Sequence, residues 1–332
     1  MHLIMFLFYV LQSKKSRVVG GNLGKKVKAP NGNKGKAPNK PQGRKSFQQQ
    51  ARCSLGEVLA AVKLLKEPHR KKVEQAGFRC VFDWVLEGNI SRILMCHLMK
   101  TIDPSTMKIN CGSGRVLEVT REAVHQLFGF PIGGVTPPIP AESGHDDSLS
   151  ELKGELGIDS CDSIEPKDLR SMLADLVEDP EKVDLAVKVF FAILYNKLIC
   201  PGSGSRVGRE AAMLRNMDYS QMAKMDYCQL VVDELKRAGT KYQNSEMKQA
   251  GPEGCCVVLS AMYTDCCYSQ PHFIMHILTP RAKYLHETPL KAIVKKDMEK
   301  HGGKEILNYK FGKLVVSVFS IYLFITHHFS FC

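Results

Sequence analysis

Six side chains of metal-ligating type lie close together in the second half of the 332-residue chain: Cys255, Cys256, Cys266, Cys267, His272 and His276. Thiolates and imidazoles are ligands that zinc prefers, and the two histidines have a usable spacing. Adjacent cysteines, however, point in divergent directions, and no Cys-x2-Cys pair positions two thiolates together. Because the surrounding window is apolar, we favour buried free thiols over a zinc site and expect no metal and no cofactor.

The same thiols could act as nucleophiles if a histidine such as His286 activated one of them. The local signatures of cysteine proteases are missing, since no Gln comes shortly before a Cys-Gly pair and no His-Trp pair is present. We therefore expect no catalytic residue and predict that the chain is not an enzyme.

Two loops carry weaker signals. Residues 201–210 (PGSGSRVGRE) are glycine-rich and lead into a helix, where backbone N–H groups can hold an anion. They lack the Gly-Lys-Ser/Thr ending of a P-loop and no strand precedes them, so we favour a helix–helix connection. The run His145-Asp146-Asp147 has metal-ligating side chains, but a solvated loop tip explains it better.

Positive charge is concentrated near the N-terminus. Residues 1–50 contain eleven Lys or Arg and no Asp or Glu, whereas residues 51–332 contain 35 and 34 and sum to +1. Residues 13–50 also lack the apolar surface that offsets ordering entropy, so we predict a disordered basic tail that ends at residue 54. Its mobile cations should bind nucleic acid weakly and without sequence preference, while the near-neutral body should bind little.

Lysine clusters of this kind are also typical of nuclear-import signals, which predicts a nuclear protein. The residues assigned to import and nucleic-acid contact are Lys14, Lys15, Arg17, Lys25, Lys26 and Lys28. Protein partners of unknown identity are the other expected ligands.

Both ends of the chain are apolar. Residues 3–11 form a nine-residue run whose charges follow it, which makes a poor signal peptide. Residues 314–331 lack Asp, Glu, Lys and Arg, but their apolar core LVVSVFSIYLFI has twelve residues, fewer than the about 20 needed to span a bilayer. We interpret residues 313–332, like the apolar start, as a gene-model artefact, and a membrane anchor at 314–331 is the alternative.

The stretch between the ends has a mainly helical pattern and is predicted to fold as a single helical domain over residues 55–312, with one small β-hairpin. Apolar spacing predicts four features in particular: two helices broken at Pro68, a helix containing Trp84, a central buried helix starting at Pro180 and an amphipathic helix starting at Tyr227. In the amphipathic helix, Asp233 and Glu234 are expected to face solvent.

The hairpin is predicted where the apolar period changes from helical to alternating. Met107 and Ile109, and then Leu117 and Val119, alternate with polar residues on either side of the turn sequence CGSG. This segment runs directly into the next helix.

That helix, TREAVHQLFGFP, has clear start and stop signals. Thr120 is a natural N-cap, Gly129 supplies the left-handed residue after the helix, and Pro131 follows. An apolar stripe at helical spacing, expected to be buried, comprises Val124, Leu127 and Phe128.

These residues resemble the "aminotransferase-like" plant mobile domain and a related domain of unknown function found beside ubiquitin-like (SUMO-type) proteases in grass genomes. The likeness begins at Gly77-Phe78 and covers roughly residues 75–310. It is carried mainly by the helix motif, which comprises Thr120, Val124, Leu127, Phe128, Gly129, Pro131 and Gly134.

The resemblance implies a largely helical domain that derives from, or is carried by, plant transposable elements, with some relatives linked to nuclear silencing. The aminotransferase label is nominal, because no cofactor lysine motif accompanies it. The protease domain that often follows in relatives would lie past residue 312. Three hypotheses stay open: a non-enzymatic nuclear protein that binds protein or chromatin partners, which we favour; a truncated member of the SUMO-protease-associated family without its catalytic domain; and a tail-anchored membrane protein.

Overall fold

The computed structural model describes residues 53–88, 90–112, 114–138, 146–159, 162–202, 207–215, 217–244, 251–267, 279–300 and 309–314. Several predicted features lie outside these residues: the basic tail up to residue 52 with Lys14, Lys15, Arg17, Lys25, Lys26 and Lys28, the apolar runs 3–11 and 315–331, and His145, His272 and His276. All described residues belong to one unit, Phe47–Cys332.

The described structure begins two residues before the predicted boundary. Cys53 is fully buried, and the Ser54 N–H donates to the Lys197 carbonyl at 2.7 Å. The first three helices are α1 (Leu55–Leu64), α2 (Glu67–Gln75) and α3 (Arg92–Thr101). Pro68 lies in the first turn of α2, where its missing N–H costs no helical hydrogen bond, and the break between the helices comes just before it.

The prediction of a helix at Trp84 is wrong. A 3-10 turn, Arg79–Phe82, precedes the indole, and α3 begins only after Ser91 as its N-cap. Trp84 itself is buried in a segment without regular structure, and its Nε1 donates to the Phe128 carbonyl at 3.0 Å. This long-range hydrogen bond, which helical spacing does not reveal, positions the side chain.

The predicted hairpin is confirmed. Strands β2 (Lys108–Asn110) and β3 (Val116–Glu118) pair antiparallel, with Ile109 opposite Leu117 and both side chains buried. Strand β1 (Ile102–Asp103) adds a third antiparallel strand next to β2. Two residues are too few for an alternating pattern to be recognised, so the sequence did not predict β1.

Helices make up most of the remaining described structure, which confirms the mainly α class. They are α4 (Arg121–Phe128), α5 (Asp146–Leu156), α6 (Leu169–Leu176), α7 (Val183–Leu194), α8 (Arg209–Leu214), α9 (Tyr219–Met222), α10 (Tyr227–Asn244), α11 (Cys256–Asp265) and α12 (Glu287–Asp297). Helix α7 packs against α1, α2, α6 and α8, and residues 189–194 are all buried, as expected for a central helix. It continues into a π-helical turn, Tyr195–Ile199.

After α12, strands β4 (Glu299–Lys300) and β5 (Tyr309–Lys310) form a second antiparallel pair. None of the helices within the described ranges is both long and apolar enough to cross a bilayer.

A buried carboxylate connects α12 to the segment after β5. Asp297 is fully buried and accepts from the Tyr263 hydroxyl at 2.6 Å, the Gly312 N–H at 3.0 Å and the Leu314 N–H at 2.6 Å. We name Asp297, Tyr263, Gly312 and Leu314 the carboxylate clasp. Because Leu314 takes part in it, the body extends beyond the predicted boundary at residue 312.

Candidate functional site

The helix motif has the geometry that its residues predict. Thr120 Oγ1 accepts from the Ala123 N–H at 3.2 Å, and Gly129 ends α4 in the left-handed conformation with φ of 76°. The three side chains of the apolar stripe, each at most 2% exposed, are Val124, Leu127 and Phe128. The motif therefore caps and anchors a helix.

The loop after α4 contacts the start of α10. The Pro131 carbonyl accepts from the Tyr227 N–H at 3.1 Å. Gly134 has open space where a Cβ would lie, so packing does not explain its place in the motif. The constrained residue is its neighbour Gly133, where a Cβ would lie 1.9 Å from the Lys224 carbonyl oxygen, and sequence reasoning did not single it out.

Aromatic rings connect Phe130, which lies within the span of the helix motif, to earlier and later parts of the chain. The Phe78 ring centroid lies 5.5 Å from that of Phe130, 5.2 Å from that of Phe191 and 4.8 Å from that of Tyr227. The Trp84 ring lies 5.5 Å from Phe130. Tilted and edge-to-face pairs at these distances are favourable, so these rings form one packed unit.

The adjacent cysteines proposed for zinc or for catalysis are enclosed. Cys255 and Cys256 are fully buried, and the thiol of Cys53 meets both of them. Burial raises the pKa of Cys255, and the contact with Cys53 raises that of Cys256. Hydrogen bonds from these two thiols lower the pKa of Cys53, but its side chain is 0% exposed. A nucleophile needs both a thiolate and access, and this cluster offers no access.

The other thiols within the described ranges are also unsuited to nucleophilic attack. Burial raises the pKa of Cys80 to about 12 and of Cys111 to about 11, and it raises those of Cys266 and Cys267. Nine of the ten described cysteines are buried, and all ten are free thiols. His286 is exposed. In the part of the chain that the structure describes, no group of three or more His, Cys, Asp or Glu is placed to hold a metal ion.

A group of paired charges centred on α10 corrects the prediction that Glu234 faces solvent. Glu234 is fully buried, with Arg209 Nη2 2.7 Å from its Oε1. Arg237 donates from Nε to Oε1 at 3.2 Å and from Nη2 to Oε2 at 3.1 Å. Lys241 Nζ lies 3.1 Å from Glu253 Oε1. We name these five residues the ion cluster.

The position of Glu234 follows from helix geometry. It lies four residues after Leu230 and three after Val231, both fully buried, so it continues the same face of α10. That spacing was visible in the sequence, but the expectation that acids lie at the surface overrode it. A buried carboxylate persists because the two guanidinium groups compensate its charge.

In the glycine-rich segment 201–210, the carboxylate of Glu210 occupies a backbone N–H group. Glu210 is buried, and its carboxylate accepts from Asn196 Nδ2 at 2.6 Å and from the Gly208 N–H at 3.2 Å. Of the described backbone donors in this loop, the Gly208 N–H is therefore occupied. Asp146 and Asp147 are exposed in the first turn of α5, where acids stabilise the positive helix end.

A shallow groove of about 170 Å³ lies between α5, α7 and α8. Its charged side chains are paired, Lys188 with Glu155 at 2.6 Å and Arg215 with Glu151 at 2.9 Å. Ligand pockets usually measure about 300–1,000 Å³, so this groove is small for a substrate site.

Comparison with known families and proteins gives one match. The model of a family described as Domain of unknown function (DUF8566) matches residues 51–260, which include the helix motif, the central helix α7 and the ion cluster. No curated protein and no solved structure matches the chain. Since the match covers more than half of its length, the chain belongs to the DUF8566 family.

Proposed function

We propose that the chain is a non-enzymatic, transposon-derived plant nuclear protein whose folded domain binds protein or chromatin partners and whose tail contacts nucleic acid. The observation that carries the proposal is the charge distribution, with eleven bases and no acid in residues 1–50. Such a segment binds polyanions through counterion release. The resemblance to the plant mobile domain supports the plant, transposon-derived and nuclear parts of the proposal.

The described side chains support a binding role over a catalytic one. The described thiols are mostly buried. Of those whose pKa is shifted, only Cys53 has a lowered value, and the others have raised ones. The ion cluster is occupied by internal pairs, and the groove is small. Reactive cysteines instead occupy accessible, electropositive surroundings.

The proposal is tested on the full chain with the six assigned tail residues, Lys14, Lys15, Arg17, Lys25, Lys26 and Lys28, replaced by Gln. We expect this variant to lose nuclear accumulation and to bind DNA more weakly at low salt. A matched control replaces six uncharged tail residues by Ser: Asn22, Asn31, Asn33, Asn39, Gln42 and Gln48. Equal localisation and DNA retention of the two variants would refute the proposal.

A further inference from the structure

The near-neutral total charge of the body conceals an uneven distribution along the chain. Residues 51–278 contain 26 bases and 30 acids, a net charge of −4. Residues 279–314 contain nine bases and four acids, a net charge of +5. The body therefore has its own basic segment, on the helix and strands that follow residue 279.

The fold brings several lysines of this segment to one surface. Lys295 and Lys296 are exposed in the last turn of α12. Lys310 is exposed on β5, opposite Glu299 in the strand register. Lys313 is also exposed and follows closely. The carboxylate clasp holds α12 against the segment after β5, which brings together the elements that carry these four lysines. We name Lys295, Lys296, Lys310 and Lys313 the basic surface.

Of the acids nearby, Asp297 and Glu287 are engaged elsewhere, whereas Glu299 lies within the basic surface itself. The carboxylate of Asp297 is buried in the clasp, and Glu287 pairs with Lys291 one turn along α12. Glu299 lies 3.8 Å from Lys313. Among the described residues, no acid lies within ion-pair distance of the three other lysines of the surface, Lys295, Lys296 and Lys310.

We propose that this basic surface binds the phosphate backbone of double-stranded nucleic acid, as a second contact in addition to that of the tail. The inference deepens the proposed function and rests on it for the class of ligand. The apolar side chains of α12 support nucleic acid over a membrane surface: Leu290, Ile293 and Val294 are at most 4% exposed and pack into the core. The helix therefore has no free apolar face to insert among lipids.

The test replaces Lys295, Lys296 and Lys310 by Gln in the full chain and measures affinity for a short DNA duplex over a salt series. We expect weaker binding at every salt concentration, and a slope of log affinity against log salt that is smaller by about 3, one for each lost phosphate contact. The matched control replaces three exposed lysines of other elements, Lys71, Lys182 and Lys236, and should keep the parent slope. Thermal unfolding confirms that the variants remain folded.

The same assay with the tail variant separates the two proposals. If the lysine variant behaves like its control while the tail variant loses binding, the basic surface is refuted and the tail proposal stands. If the lysine variant loses slope and the tail variant does not, the surface stands and the tail proposal fails. Retention on anionic vesicles that the lysine variant loses, with unchanged DNA binding, would also overturn the inference.

Discussion

The helix motif is anchored by buried apolar side chains and the ion cluster by the buried carboxylate of Glu234, so different interactions stabilise them. The motif combines local caps, at Thr120 and Gly129, with aromatic packing around Phe128 and Phe130. The ion cluster combines charges from α8, α10 and the segment before α11, centred on Glu234. Apolar packing loses stability in proportion to the atoms removed, whereas removing one charge of a cluster leaves its partners uncompensated.

The largest expected effect is in the motif. Phe128→Ala removes a fully buried ring and should lower the free energy of unfolding by about 3–5 kcal/mol. Val116→Ala, at a side chain that is 40% exposed on β3, is the control and should change it by no more than about 0.5 kcal/mol. Urea denaturation measures both, and a loss below about 1 kcal/mol for Phe128→Ala would contradict the packing described.

The ion cluster should be nearly as sensitive. Glu234→Gln keeps the size of the side chain but leaves Arg209 and Arg237 without their compensating charge, so we expect a loss of about 3 kcal/mol. Asp233→Asn, at the adjacent half-buried residue, keeps an acceptor for Gln229 and should cost at most about 0.5 kcal/mol. Similar denaturation midpoints for the two variants would show that burial of Glu234 does not matter.

The carboxylate clasp has another buried carboxylate, Asp297, and tests whether losing one of its partners destabilises the fold as expected for Glu234. A chain ending at Gly312 lacks the Leu314 N–H that donates to Asp297 and should be about 1–3 kcal/mol less stable than the full chain. A chain ending at Ser317 keeps that donor and should match the full chain. The interpretation of residues 313–332 as an artefact implies instead that their removal leaves folding unchanged, and equal stability of the two shortened chains would favour that interpretation.

The smallest expected effect is a dependence of stability on pH, which arises from His97, close to the clasp. The His97 ring lies 4.9 Å from that of Phe311, and burial lowers the pKa of His97. The unfolded chain therefore takes up a proton more readily than the folded chain. Stability is fully present above the ordinary histidine pKa of about 6.5 and declines as pH falls towards the lowered folded value.

His97→Gln removes this titration. We compare the free energy of unfolding at about pH 7.5 and about pH 5, and we expect the difference to be smaller in the variant than in the parent. Unfolding midpoints at the two pH values measure it. An identical acid loss in both proteins would assign the dependence to other groups.

The features that the sequence predicted depend on neighbouring residues. Thr120 and Gly129 act within one turn of α4, and the hairpin alternation spans a few residues, so local patterns were sufficient. The features that the sequence did not predict depend on residues far apart in the chain. Trp84 is positioned by the Phe128 carbonyl, and Asp297 by donors from the other three residues of the carboxylate clasp, none of which lies close to it in sequence.

The candidate site shows the same division. Burial of Cys255 and Cys256 follows from their apolar surroundings, but their contact with Cys53 joins the start of the described body to the N-terminal end of α11 and has no local signal. Gly133, and not Gly134, must lack a side chain because tertiary packing places the Lys224 carbonyl beside it, and this too has no local signal.

We propose that the chain binds nucleic acid through charge and does not read its sequence. The decisive experiment is competition between two duplexes of unrelated sequence for the full chain, repeated from low to physiological salt. We predict equal affinities that fall steeply and in parallel as salt rises, because phosphate contacts carry the binding. A preference for one duplex that persists at physiological salt, or no binding at low salt, would contradict the claim.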